Sequence, residues 1–369
     1  MKHLLFPIGI AMILTGCAGG AAETSQRGLL DQFPEEEATA SGTILTNDEV
    51  LRSTIQRFGP VEAMRVMRLA ASSQRVDCHN RAHELGRMSY EEFSDEVFKL
   101  NMPECHSGFY HGSVEAFFNK NGTDNLEENL RTICVADLNA FFTHQCLHGI
   151  GHGLMAWSDY ALLDALEYCH LIPQDGGKSS CRTGVFMENI VGSLNDSPEA
   201  RARGHVTKYV NSDPHYPCTL VKEAYKSDCY FLQTDRMLAL SENRFEGVAR
   251  NCEEAPPEYQ YSCFGSMGRT VGGTFRGDPT GAIAACTHAK DAENRLACIL
   301  GAAQDTFWDK NGETLALEFC ATLSEEDGKA DCYRTIIERS QEILTAEERR
   351  AFCKHLPEAL RSGCLENVL

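Results

Sequence analysis

Residues 282–298, AIAACTHAKDAENRLAC, and residues 316–332, ALEFCATLSEEDGKADC, share one layout: a small or apolar run ending in a cysteine, a polar connector, and a second cysteine twelve residues after the first. Ala165-Leu-Glu-Tyr-Cys169 repeats it, with Cys181 as the second member. A first helix ends at the leading cysteine. The connector is polar or carries proline, as in Glu253-Glu254-Ala255-Pro256-Pro257, and a second helix begins close to the trailing cysteine. After Cys332, the residues Ile336, Ile337, Ser340, Ile343 and Leu344 recur at three- and four-residue intervals, the period of a helix with one buried face. Alternating β-branched runs joined by Asn-Gly turns do not appear, so the chain reads as all-α.

Working outward, the leading cysteines stand at Cys134, Cys169, Cys218, Cys252, Cys286, Cys320 and Cys353, in steps of 35, 49, 34, 34, 34 and 33. A period near 34 is the length of one helical hairpin, which marks a repeat protein. The expected fold is a right-handed α-solenoid or αα-superhelix of ~34-residue helical hairpins, each stapled by a disulfide. From Asp77 to Leu369 the chain is similar in general form to tetratricopeptide-type α-solenoids and to cysteine-rich versions of them. The resemblance rests on period and cysteines, since the tryptophan, glycine and tyrosine pattern of those repeats is missing. It implies a helical superhelix and carries no catalytic residues. The long step falls in residues 195–217, rich in Asn, Asp, Ser and Pro, and predicts an insertion loop between N-terminal repeats (46–194) and C-terminal repeats (218–369). Ahead of the first cysteine, Thr46-Asn47-Asp48-Glu49 predicts a helix start, Gly59-Pro60 a break, and Met64, Met67 and Leu69 an apolar face that caps the first repeat.

The cysteine count bears on compartment. Residues 1–16 have an early lysine and an apolar run of signal-peptide length, and Leu14-Thr15-Gly16-Cys17 resembles the lipobox of bacterial lipoproteins. That resemblance implies removal of the signal peptide, lipidation of Cys17 and an anchor in the membrane, with Ala18 pointing to an outer-membrane lipoprotein facing the periplasm. Residues 17–45, with Glu35-Glu36-Glu37, read as a solvated tether. Sixteen cysteines remain, an even number, and neighbour pairing predicts Cys78–Cys105, Cys134–Cys146, Cys169–Cys181, Cys218–Cys229, Cys252–Cys263, Cys286–Cys298, Cys320–Cys332 and Cys353–Cys364. No CxxC occurs, which argues against zinc ribbons, thioredoxin-like redox sites and haem attachment. A net charge of −19 would repel nucleic acid, so no nucleic-acid partner is expected.

Seven of the thirteen histidines fall between His79 and His152, and six of these lie within seven residues after a cysteine of the ladder. Aligned on the trailing cysteine, Cys105-His-Ser-Gly-Phe-Tyr-His111-Gly112, Cys146-Leu-His-Gly-Ile-Gly-His152-Gly153 and Cys181-Arg-Thr-Gly-Val-Phe-Met187-Glu188 put His111 and His152 at one position in adjacent repeats. Such positions face the same surface of a solenoid and can converge. His79 with His83, and His148 with His152, are HxxxH pairs, which on a helix hold two imidazoles on one face about 5–6 Å apart at Cβ, a spacing that suits shared capture of a metal ion. Later repeats lack these histidines, so they are not a requirement of the scaffold.

The candidate metal ligands are therefore His79, His83, His106, His111, Glu115, His148 and His152, with Glu84 or Glu188 as base if a metal-bound water performs hydrolysis. The expected cofactor is a transition metal ion, Zn, Cu, Ni or Fe, which imidazole-rich sites suit. His144 stands outside this pattern and reads as scaffold. Recurring Gly108, Gly149, Gly184 and Gly301 predict close helix crossings, whereas Gly112 and Gly153 follow His111 and His152 and are expected to make room beside the imidazoles. No HExxH, GxSxG or Walker loop occurs. Two non-catalytic readings stand beside a metal-dependent enzyme: metal sequestration or delivery, and an envelope scaffold that binds a protein partner on its concave face.

Overall fold

The computed structural model describes residues 42–366 apart from positions 75, 77, 101, 103, 106–107, 123, 135–139, 173–174, 195–206, 308–311 and 325–326. The signal peptide, Cys17, most of the tether and His106 lie outside the described residues. Among the described residues the structure is all-helical, with no strand. No helix there is long and apolar enough to cross a membrane.

Folded structure begins before residue 46. Thr43–Leu45 form a 3₁₀ turn in which Ile44 is buried, and the Arg81 Nε donates to the Ile44 carbonyl at 2.9 Å. An apolar residue four positions before the first helix draws the end of the tether into the core. Helix α1 (Asp48–Phe58) starts at Asn47, whose side chain accepts from the Glu49 and Val50 amides, and Gly59, at φ 83°, ends it before α2 (Pro60–Gln74). Met64 and Met67 are buried beneath the first repeat, and Leu69 is half-buried.

The helices that follow form two rows. The inner row comprises α3 (His79–Phe93), α4 (Gly108–Asn121), α6 (Ala140–Trp157) and α8 (Asp175–Leu194), then α9 (Glu223–Tyr230) with α10 (Thr234–Leu240), α12 (Pro257–Thr274), α14 (Ala292–Thr306) and α16 (Lys329–Ile343). The shorter α5 (Leu126–Ile133), α7 (Leu162–Tyr168), α11 (Phe245–Glu254), α13 (Pro279–Cys286) and α15 (Gly312–Thr322) lie between them in sequence, and α17 (Ala346–His355) and α18 (Glu358–Glu366) end the array. All eight cysteine pairs are bonded as the spacing predicts, with Cα–Cα distances from 5.4 Å at Cys78–Cys105 to 5.7 Å at Cys353–Cys364. The trailing cysteine sits inside the second helix and not at its start: Cys146, Cys181, Cys263 and Cys298 each lie six residues beyond their helix's first residue. Each bridge therefore pins the short outer helix to the second turn of the inner one, and closing so short a loop stabilises the fold by about 3 kcal/mol in the chain-entropy account.

Cys78–Cys105 differs in kind. It spans 27 residues and ties the start of α3 to the residues just before α4, so α3 and α4 lie side by side and run in the same direction. Close backbone approach holds them: a Cβ on Gly112 would sit 1.9 Å from the His83 carbonyl oxygen, and one on Gly86 would sit 2.1 Å from that of Phe109. The space at Gly112 is thus filled by the neighbouring helix, and at Gly153 by Val114 and Phe118, not by a ligand beside the imidazoles. Gly184 against His148 and Gly301 against Gly265 repeat the same crossing along the row, as their recurrence predicts.

The inner row curls far enough for α16 to touch α6. The concave face is consequently a cavity of about 780 Å³ walled by inner helices, where a more open solenoid would present a groove. Of the insertion, residues 207–217 fold back on α8 and the start of α10: Thr207 Oγ1 and the Asn189 Oδ1 are bonded, Asn189 Nδ2 donates to the Tyr209 carbonyl at 3.0 Å, and Gln233 Nε2 donates to the Pro214 and Tyr216 carbonyls.

Candidate metal centre

Because α3, α4 and α6 are parallel and closely spaced, one turn of each contributes imidazoles to a common region. His79 and His83 come from α3, His111 from α4, and His148 and His152 from α6. Their ligand nitrogens form two groups that share a member: His79, His83 and His111 within 4.8 Å of one another, and His111, His148 and His152 likewise. His111, His148 and His152 are buried, at 2%, 7% and 4% exposure, while His79 and His83 are half-buried.

Second partners fix the tautomers of three rings. His79 Nδ1 donates to the Cys105 carbonyl at 2.9 Å, since a carbonyl can only accept, and its Nε2 keeps a lone pair. Thr183 donates its hydroxyl to the Ser180 carbonyl at 2.7 Å, so its Oγ1 accepts from His148 Nδ1 at 3.0 Å. His152 Nδ1 donates to Glu188 Oε2 at 2.6 Å, and the other oxygen of that carboxylate accepts from the Tyr160 hydroxyl at 2.9 Å. The Nε2 atoms of His148 and His152 then face each other at 3.2 Å, a separation that fits either a shared proton or a cation held between them. Metal–imidazole bonds of about 2.0–2.1 Å in a tetrahedral shell place neighbouring ligand nitrogens about 3.3 Å apart. His79 Nε2 and His83 Nε2 are also 3.2 Å apart, as are His83 Nε2 and His111 Nδ1.

Burial, reinforced by the surrounding imidazoles, holds His111 and His148 well below the ordinary histidine range, so both are neutral and able to ligate at neutral pH. Burial and the approach of Arg339 and Arg269 push His144 down to about 4. His144 lines the cavity: its ring meets cavity space yet is surrounded by protein, and its Nδ1 lies 2.6 Å from Ser180 Oγ. This residue, expected to be scaffold, belongs to the wall of the site.

The carboxylates divide. Arg87, one turn beyond His83, donates to Glu84 at 2.5 Å and to Glu115, which raises its pKa against the lowering effect of burial. Glu84 and Glu115 thus share one guanidinium and fall outside both histidine groups. Glu188 bonds His152 as the carboxylate of a carboxylate–histidine pair, the usual support of a metal-bound imidazole. Arg87, Tyr160 and Thr183 were missed by the sequence reading. Arg87 could have been found as the next member of the His79, His83 series on the same helix face.

His79, His144, His148 and Met187 line one side of the cavity, and Arg269, Arg339, Asp235 and Asp305 line the other. The Arg269 guanidinium stacks on Phe231 at 4.6 Å, Asp305 pairs with Arg276 at 3.0 Å, and Arg339 with Glu342 at 2.9 Å. No family model, no curated protein and no solved structure matches this chain.

Proposed function

We propose that this chain is a metal-binding α-repeat protein of the bacterial envelope, held by a lipid on Cys17, whose histidine cluster binds a transition metal at the edge of a half-open cavity. The observation that carries this reading is the approach of the His148 and His152 Nε2 atoms to 3.2 Å, with the Nδ1 of each ring bonded from behind. Neutral, buried imidazoles and a supporting carboxylate form a donor set suited to zinc, copper, nickel or iron.

The cavity bears on what the ion would do. At about 780 Å³ it is of the size that encloses small molecules, and with His79 and His148 on its wall a bound ion would have one side open to such a molecule. A half-open pocket of that volume suits a small-molecule role, as a metal-dependent enzyme or a carrier, better than the docking of a protein partner. A base for hydrolysis would have to come from a residue other than Glu84, which Arg87 holds.

Metal content of the chain purified without an affinity tag, set beside His148→Ala/His152→Ala, tests the reading. At least one equivalent in the wild type and a loss in the variant is expected. Equal, near-zero content in both would overturn it.

A further inference from the structure

His111 is the one histidine common to both groups, and its two ring nitrogens have different surroundings. Nδ1 lies 3.2 Å from His83 Nε2, on the side of His79 and His83. Nε2 is buried and has no hydrogen-bond partner. A buried polar nitrogen without a partner is destabilising, because it has given up its water and gained nothing in exchange. His152 stacks on the face of the His111 ring with centroids 3.9 Å apart, and the His148 centroid lies 5.7 Å away. Met187 holds the position six after its cysteine that His111 and His152 hold after theirs. Its Sδ lies 3.4 Å from His148 Nε2, within reach of any ion bound to that nitrogen.

We infer that the cluster is built for two metal ions bridged by the His111 ring, Nδ1 serving an ion held with His79 and His83, and Nε2 serving a second held with His148, His152 and the Met187 thioether. This rests on the metal-binding reading above and goes beyond it in number, sharing and kind. Thioether sulfur is a soft donor that copper accepts and harder ions pass over, so the second pocket takes copper. Loading both pockets removes the one ring N–H of neutral His111: its proton leaves to solvent, and the resulting imidazolate binds a cation through each nitrogen. The imidazolate and the Glu188 carboxylate behind His152 together offset part of the positive charge that two divalent ions bring. One adjustment is needed. His111 and His152 stack at 16°, and parallel rings direct their lone pairs side by side, so one of them tilts when the second ion enters.

The test loads the ion-free, full-length chain in detergent with copper(II), counting ions by native mass spectrometry and unpaired spins by electron paramagnetic resonance. Two ions per chain are expected, with a spin count well below two because an imidazolate bridge couples the pair antiferromagnetically. His79→Ala/His83→Ala should keep one ion with its full spin. Saturation at one ion, or two ions with the full spin of two, overturns the bridge while leaving the metal-binding reading intact, whereas no bound ion overturns both. His111→Ala should abolish the coupling; because α4 is packed tightly, its fold is checked by circular dichroism, and the wild-type spin count stands without it. Met187→Leu should keep two zinc ions but weaken the second copper about tenfold. Unchanged copper affinity would overturn the thioether's part.

Discussion

His152 Nδ1 lies 2.6 Å from Oε2 of Glu188, and the Tyr160 hydroxyl holds the other oxygen of that carboxylate at 2.9 Å. Three residues from three segments thus set one ring's tautomer and aim its Nε2 at His148. Replacing Glu188 with glutamine removes the charge and presents an amide that can donate towards Nδ1. Removing such a support typically lowers metal affinity by about 10–100-fold. Competition against a chromophoric chelator measures this for Glu188→Gln, and an unchanged affinity would count against the metal centre.

Ion binding to the folded chain alone must stabilise it. At free metal about 100 times the dissociation constant the gain is about 2.7 kcal/mol, which corresponds to several degrees in Tm. Scanning calorimetry should show that rise in the wild type, its reversal by chelator, and its absence in His148→Ala/His152→Ala. A rise of equal size in the variant would place the binding elsewhere.

Acid should weaken the ion-free fold. His111, His148 and His144 are held below the ordinary histidine range, so the unfolded chain, whose histidines titrate near 6.5, binds more protons than the folded one as pH falls. Stability is therefore full above about pH 6.5 and is lost as pH drops through it towards 4, where His144 itself charges. Thermal melts at pH 7.5 and pH 5 should show a lower Tm at the acid end. A His144→Gln/His148→Gln variant should show a shallower slope, and an identical slope would refute the assignment.

Glycine at the inner crossings is a packing requirement. A Cβ on Gly184 would stand 1.9 Å from the His148 carbonyl oxygen, a backbone atom that cannot move without shifting α6. Gly184→Ala should cost about 1–3 kcal/mol, as overpacking does, and weaken metal binding with it. Gly265 has nothing within 4 Å of its own Cβ position, so Gly265→Ala should be neutral or gain up to about 1 kcal/mol of helix propensity. Urea denaturation of the pair decides whether the crossing distance matters.

Far from the cluster, Cys320→Ala/Cys332→Ala opens a bridge of sequence separation 12 between α15 and α16. The expected cost is about 3 kcal/mol, with metal affinity of the remaining fold retained at low temperature. A loss below 0.5 kcal/mol, by order of magnitude, would argue that these staples do not stabilise the array.

The cysteine spacing alone determined the helical repeat, the eight pairings and the register in which His111 and His152 are equivalent, because a period near 34 and a bridge across a dozen residues are local properties of the chain. HxxxH on a helix is local in the same sense, and His148 and His152 do meet at 3.2 Å. What could not be read locally depends on how strongly the row of inner helices curves. Whether Gly112 admits a ligand or the carbonyl of His83, whether Glu115 turns to His111 or to Arg87, and whether Arg269 comes to face His148 across a cavity are all settled by distances between helices. Those distances are sums of many small side-chain and glycine contacts accumulated around the array until α16 reaches α6. Tertiary structure alone decided that the histidines border a half-open cavity, since the approach of α16 to α6 is a property of the summed curvature and no single repeat contains it.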